Sequence, residues 1–293
     1  MTSPFVRRRR LGAELRALRE QRGLTADDMA RVLCYSRMKI SRIENGHNRP
    51  NLVEIMKILD HLGVTGEKYQ QLVQIAREGA ERGWWDEYGD AMGRRQRMYA
   101  DIESDAKTIR EYNQFTIPGL LQTPDFIRCM IELAKAEGKI NFHPEHMLNA
   151  RLHRQSHVLG PKGPRYEVII DEVVIRRPSV PPQVMSDQLQ SLIEKALKHP
   201  RVTIHILPVQ VDFAPRQLPK SAFSLYTFPD PDDPPIAVDD TMISDVVHID
   251  QREVMRYTQG YEHLLQVSLS GAATISLLTE AAEDLKKKIG LSA

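Results

Sequence analysis

The residues best placed to do chemistry in this 293-residue chain gather between positions 36 and 49, in the run SRMKISRIENGHNR. Ile40 and Ile43 are spaced to share one face of a helix that Ser36 caps and Asn45-Gly46 stops. With that face pinned to a core, Arg37, Met38, Lys39 and Arg42 point outward. Such a helix fits a DNA major groove of about 12 Å, where an arginine can bind guanine O6 and N7 together. Met38 suits a thymine methyl group, while Lys39 and Ser41 suit phosphate, as do the Ser36 hydroxyl and the helix N-terminus. The loop His47-Asn48-Arg49 and Thr25, which opens the preceding helix, are placed to grip the backbone of a nucleic acid. The plain alternative for any one of these cations is a solvated surface charge.

Other reactive residues form no comparable set. Asp171 and Glu172 are adjacent carboxylates after a strand, and neighbours on a strand point to opposite faces. His146, His153 and His157 can share a helix face, which would allow metal binding, but they read as ordinary surface or core histidines. Cys34 and Cys129 are far apart and outside any C-x-x-C pair, which fits a reducing compartment. No nucleophile elbow, phosphate-binding glycine loop or metal triad is visible, so neither an enzyme nor a cofactor or metal is expected. No stretch approaches the roughly 18 apolar residues of a membrane span, and no apolar core follows the N-terminal arginines as in a signal peptide. The expected location is therefore cytoplasmic, and at the nucleoid when DNA is bound.

The net charge of +1 hides an asymmetry: residues 1–50 hold 12 Lys and Arg against 5 Asp and Glu, leaving 28 against 34 for the rest. That split suggests a polyanionic partner for the first segment alone. Within it, Arg7 to Arg10 precede the first helix and read either as an arm that tracks phosphates or as a disordered basic tail.

The elements that must position these residues begin with a helix marked by Leu11, Leu15 and Leu18 and closed by Gly23. Thr25 to Asp28 resembles a capping box for a second helix, Ser36 opens the third, Asn51–Leu62 makes a fourth, and residues 65–77 a fifth. The polar, aromatic segment EGAERGWWDEYGDAMG places a junction near residues 78–98, with Trp84 and Trp85 read as anchoring the linker onto the second domain in preference to a stacking platform. Helices are expected at about 100–114, 124–137, 143–159, 182–198, 250–268 and 271–288, and strands at 166–170, 202–207 and 221–228, with one or two more from 236–238 and 242–249. The proline-rich run PDPDDPP at 229–235 must be a loop. The expected architecture is a mainly α, five-helix helix-turn-helix domain over residues 1–78, a linker over 79–99, and a larger α+β domain over 100–293.

Residues 24–50, LTADDMARVLCYSRMKISRIENGHNRP, resemble the helix-turn-helix of the lambda-repressor-like, or xenobiotic-response-element, family. The resemblance rests on Leu24, Thr25, Met29, Ala30, Leu33, Ser36, Ile40, Ser41, Ile43, Glu44, Asn45, Gly46 and Pro50, and departs at Cys34, where the family often has glycine. It implies that Arg37, Met38 and Arg42 occupy base-reading positions, with Asn45 among the DNA-facing residues, and that Glu44 pairs with Arg19 on the first helix. The remainder is similar to actinobacterial regulators of the WhiJ type, which carry a C-terminal domain of unknown function with a PGLLQT segment, here Pro118–Thr123. WWDEYGD, ESDAKTI, RLHRQ, IIDE and VTIHILP extend the match over nearly the whole chain. PGLLQT itself reads as a structural turn and helix cap in preference to a ligand clamp. The resemblance implies a homodimer on double-stranded DNA and a small BldB-like partner protein encoded nearby.

Taken together the sequence describes a DNA-binding transcriptional regulator whose second domain senses a small-molecule effector or binds a small partner protein. The alternative is an antitoxin-like protein that sequesters a small partner and regulates its own operon.

Overall fold

The computed structural model describes residues 2–138, 143–211, 218–241 and 245–291. They fall into two compact units, the first comprising residues 1–87, 98–105 and 229–234, the second 88–97, 106–228 and 235–293. Residues 100–105 and 229–234, which the sequence reading assigns to the second domain, thus belong to the first unit, for a reason that lies in its ion pairs.

The first unit is helical: α1 (Pro4–Gln21), α2 (Ala26–Leu33), α3 (Arg37–Glu44), α4 (Leu52–His61) and α5 (Gly66–Ala80). Leu11, Leu15, Met29, Ile40, Ile55, Leu59, Leu62 and Leu72 fill one core between them. The expectation that Arg7–Arg10 form an arm or tail ahead of the first helix is overturned. Ser3 caps α1 by accepting from the Val6 amide and Pro4 occupies the first turn, so the helix starts there and contains the arginines. Arg7 and Arg10 are buried. Arg7 meets Glu78 at 2.8 Å, Asp230 at 2.9 Å and Asp233 at 3.1 Å. Arg10 meets Asp230 and Asp232, each at 2.8 Å, and Asp233 at 3.2 Å. Buried guanidinium groups need such partners, since an unpaired charge out of water is costly. Glu78 lies on α5, and the aspartates come from the turn at 229–234, which is a loop as its prolines require. Arg8 likewise meets Asp101 at 3.2 Å, near the end of α6 (Gly93–Glu103).

In the second unit a six-stranded sheet has the order β3-β2-β1-β4-β5-β6. The strands are β1 (Thr108–Asn113), β2 (Arg165–Asp171), β3 (Val202–Leu207), β4 (Ala222–Thr227), β5 (Ile236–Asp240) and β6 (Val246–His248). β1, β2 and β3 run parallel, with Ile109 opposite Tyr166 and Tyr166 opposite Val202, while β1–β4, β4–β5 and β5–β6 are antiparallel. The parallel pairs need helical crossovers. α7 (Pro124–Glu137) and α8 (Pro144–Val158) form the first, and α9 (Glu172–Arg176) with α10 (Pro182–Lys198) the second. α11 (Gln251–Val267) covers one sheet face through Val254, Tyr261 and Leu264, which pack on Tyr112, Ile169, Phe223 and Leu225. α12 (Gly271–Leu291) packs on α10.

The helix expected over 100–114 is corrected: α6 spans Gly93–Glu103 and residues 108–113 are strand β1. TIREYN is rich in β-branched and aromatic residues, and its pairing to both β2 and β4 near the middle of the sheet decides its state. Of the strand expected over 242–249, residues 242–244 lie outside the described residues and the rest supplies β6.

Candidate nucleic-acid interface

α3 is held from behind by three devices. Ile40 is 2% exposed and sits in the helical core. Gly12 of α1 lets the two helices approach at backbone distance, since a Cβ there would stand 2.3 Å from the Glu44 carbonyl oxygen. Glu44 then receives Arg19 in a forked pair, with Nε to Oε1 at 2.6 Å and Nη2 to Oε2 at 2.9 Å. Both side chains are under 10% exposed, at 9% and 6%. Arg19 also donates to the Leu24 carbonyl at 2.7 Å, which ties the same guanidinium to the start of α2. The hydrogen bond to Glu44, outweighing burial, raises the pKa of Arg19 further above its ordinary value.

The turn between α2 and α3 is made by Cys34 at φ 56° and ψ 39°, a left-handed conformation in a residue with a Cβ. It lets the Cys34 and Tyr35 amides return to the Arg31 and Ala30 carbonyls. Ser36 then accepts from the Lys39 amide at 3.2 Å and starts α3.

What α3 leaves outside is a face of Arg37, Met38, Ser41 and Arg42, all exposed. Met38 is 64% exposed, which no core demands, and Arg37 has only a 3.6 Å ion pair to the exposed Asp27. Positions i, i+1, i+4 and i+5 share one side of a helix. His47 and Asn48 follow on the exposed loop. The His47 imidazole is held below its ordinary pKa by desolvation, then by the Arg9 and Arg42 cations, so it stands neutral at pH 7.

Other predicted residues are engaged elsewhere. Lys39 reaches Glu54 at 2.6 Å and lies 3.9 Å from the centre of the Tyr35 ring. Arg49 meets Asp86 at 2.7 Å. The Thr25 hydroxyl donates to Asp28 Oδ2 at 2.6 Å and accepts from the Asp28 amide, completing a capping box. Asn45 is half-buried at the end of α3: its amide donates to the Ser41 carbonyl at 2.7 Å and its Oδ1 accepts from Arg16 at 3.0 Å. Arg9 donates to the Asn45 carbonyl at 2.5 Å. Arg9 and Arg16 thus brace the end of α3, a role that sequence reasoning missed because it placed Arg9 ahead of the helix. Trp84 and Trp85 belong to the first unit, which corrects the expectation that they anchor the linker onto the second domain, and Trp85 is buried and cannot serve as a stacking platform.

In the second unit the other sequence candidates have structural roles. Asp171 caps α9 by accepting from the Val173 amide, and Glu172 accepts from Arg176 and from the Val209 amide. Gln122 of PGLLQT donates to the Ile117 carbonyl, Thr123 caps α7, and Gln188 bridges Leu121 and Thr123. His153 pairs with the Tyr88 hydroxyl at 3.0 Å. Among the described residues no three His, Cys, Asp or Glu side chains gather as a metal site, and no helix is long and apolar enough to cross a membrane.

Comparison with known proteins gives two matched domains. Residues 10–72 match a helix-turn-helix domain, so the first unit carries a DNA-binding domain of that class. No curated protein and no solved structure is detectably similar to the chain. Residues 96–280, well over half the length, match a domain of unknown function, DUF5753, and the chain belongs to the family that this domain defines.

Proposed function

We propose that the protein is a sequence-specific transcriptional regulator that reads the major groove with the exposed face of α3. The observation that carries this reading is the pairing of a rigidly seated helix with solvent-facing Arg37, Met38 and Arg42. A guanidinium presented from such a helix can make a bidentate contact to guanine, worth about 1–3 kcal/mol of discrimination. Ser41, the Ser36 hydroxyl, the amides at the start of α3 and the His47-Asn48 loop supply phosphate contacts that set the register. One eight-residue helix covers only a half-site, so the working form is a homodimer with recognition helices about 34 Å apart. The second unit biases DNA affinity by binding an effector or a small partner protein, and the PGLLQT and WWDEYGD segments support the WhiJ-type assignment. No catalytic step belongs to this reading.

The test is selection of bound duplexes from a random library, followed by gel-shift titration of the selected and scrambled sites. Arg37→Ala and Arg42→Ala are expected to lower affinity for the selected site by about 1–3 kcal/mol each while scrambled DNA changes less. Equal losses on both duplexes would reduce these arginines to phosphate contacts, and an unselective library would refute the reading.

A further inference from the structure

The second unit contains a half-open cleft of about 520 Å³ where the start of β4 and the ends of β5 and β6 meet α11. That volume lies within the range of about 300–1,000 Å³ typical of small-molecule sites. Its wall is aromatic. The Tyr257 ring stands 5.2 Å from Phe223 and 5.0 Å from His248, centre to centre. Phe223 is buried and Tyr257 half-buried, with the two rings tilted by 56°, so the aromatic surface left open to an occupant is mainly that of Tyr257, backed by Phe223.

The charges around that wall are not equivalent. Ser221 donates to Asp239, and His248 pairs with Glu253 at 2.8 Å and with the Tyr257 hydroxyl at 3.3 Å. The Tyr257 phenol is pushed up to about 12 by burial and by Asp239, to which it hydrogen-bonds, and stays protonated. Both carboxylates of the cleft therefore already hold donors. Lys220 and Arg256, also in its lining, are exposed and have no carboxylate within ion-pair distance among the described residues. The chemistry left to an incoming molecule is a flat ring against the wall and an anion for the two cations.

Gly260 makes the same point independently. It lies inside α11, where glycine weakens a helix, and it lines the cleft with nothing within 4 Å of where a Cβ would stand. The helix has no packing reason to omit a side chain there, whereas an occupant approaching the backbone does.

We propose that this cleft binds a planar aromatic carboxylic acid, its ring against Tyr257 and Phe223 over Gly260 and its carboxylate held by Arg256 and Lys220. The inference rests on the reading of the second unit as an effector-binding unit, and names the class of effector.

The experiment is calorimetry and thermal-shift titration of the full-length protein, without DNA, using benzoate, 2-naphthoate and indole-3-acetate. 2-Naphthamide and cyclohexanecarboxylate serve as the neutral and the non-aromatic controls. The expected result is saturable binding of at least one aromatic acid, with its matched control at least about tenfold weaker. Arg256→Ala should weaken the acid about tenfold and leave the amide unchanged, because the ring contacts remain. Gly260→Leu should abolish binding while keeping or raising the melting temperature, since the space is open and leucine is the better helix former. If no acid binds at millimolar concentration, if amide and acid bind alike, or if a folded Gly260→Leu variant binds as well as the wild type, the proposal is overturned. Because no DNA is present, these outcomes are independent of the gel-shift test of α3. Binding of an acid by a protein that selects no DNA site would sustain the cleft and sink the regulator.

Discussion

Replacing Glu44 with alanine removes the carboxylate against which the Arg19 guanidinium is buried, and leaves that cation in a site where its side chain is 9% exposed. Stranding one partner of a buried pair costs about 3–5 kcal/mol, far more than the intact pair contributes net. Arg19 keeps the Leu24 carbonyl at 2.7 Å and the exposed Glu20 at 3.4 Å, which puts the expected loss at the lower end, about 3 kcal/mol. With a urea dependence of about 1–3 kcal/mol per molar, the unfolding midpoint should fall by about 1–3 M. The assay is built into the chain. Its two tryptophans, Trp84 and Trp85, both lie in the first unit, and Trp85 is buried, so fluorescence follows the unfolding of that unit. The double variant Arg19→Met/Glu44→Leu replaces the pair with apolar groups and should recover most of the loss. A single-variant loss below about 1 kcal/mol, or a double variant as unstable as Glu44→Ala, would refute the reasoning that the cost is a stranded charge.

Two further perturbations address the frame around α3. Cys34→Gly relieves a left-handed conformation that costs a side chain about 1–2 kcal/mol, against about 0.5–1 kcal/mol of added backbone freedom in the unfolded chain. The variant should gain about 0.5–1 kcal/mol in the same urea assay, whereas Cys34→Val should lose stability. At Asp230, burial pushes the carboxyl up, but the Asp232 amide, Arg7 and Arg10 outweigh it and hold the pKa at about 2. A depressed carboxyl stabilises above its unfolded pKa of about 3.9 and loses that contribution as pH falls toward 2. The stability difference between wild type and Asp230→Asn should therefore be full above about pH 4 and vanish near pH 2, and a difference independent of pH would show that Asp230 acts through shape alone.

What the sequence makes legible here is whatever short-range spacing controls. Ser36, Ile40, Ile43 and Gly46 lie within eleven residues, and their periodicity alone bounds α3 and its buried side. Thr25 and Asp28 define a capping box by the same local logic. The residues that resist this reading are those whose state depends on distant partners. Thr108–Asn113 becomes a strand near the sheet's middle only because residues 165–170 and 223–227 arrive on either side. Arg7 and Arg10 read as free cations because their counter-charges, Asp230, Asp232 and Asp233, lie more than 200 residues away. A run of arginines and a run of aspartates in one chain is a hint of mutual pairing, but no spacing rule joins them. Lys39 is an intermediate case: its partner Glu54 is near in sequence but on the next helix.

This redistribution of charge changes the expected response to salt. Twelve Lys and Arg within residues 1–50 suggest a broad footprint, and if each met a phosphate the log–log slope of affinity against salt would approach about −11 per protomer. Five of them already face carboxylates as buried or half-buried ion pairs: Arg7, Arg8, Arg10, Arg19 and Lys39. Arg9 is spent on the Asn45 carbonyl. Arg16, Arg22, Arg31, Arg37, Arg42 and Arg49 remain exposed. Their number caps the slope at about −5.4 per protomer, and any of them that reads a base subtracts from it. Fluorescence anisotropy on a labelled selected duplex between about 50 and 200 mM salt measures this directly. A slope near −5 per protomer or shallower agrees with a preformed interface. A slope of about −8 would mean that DNA draws Arg7, Arg8 and Arg10 away from their aspartates, and that the ion pairs at 101 and 230–233 compete with DNA for the same cations.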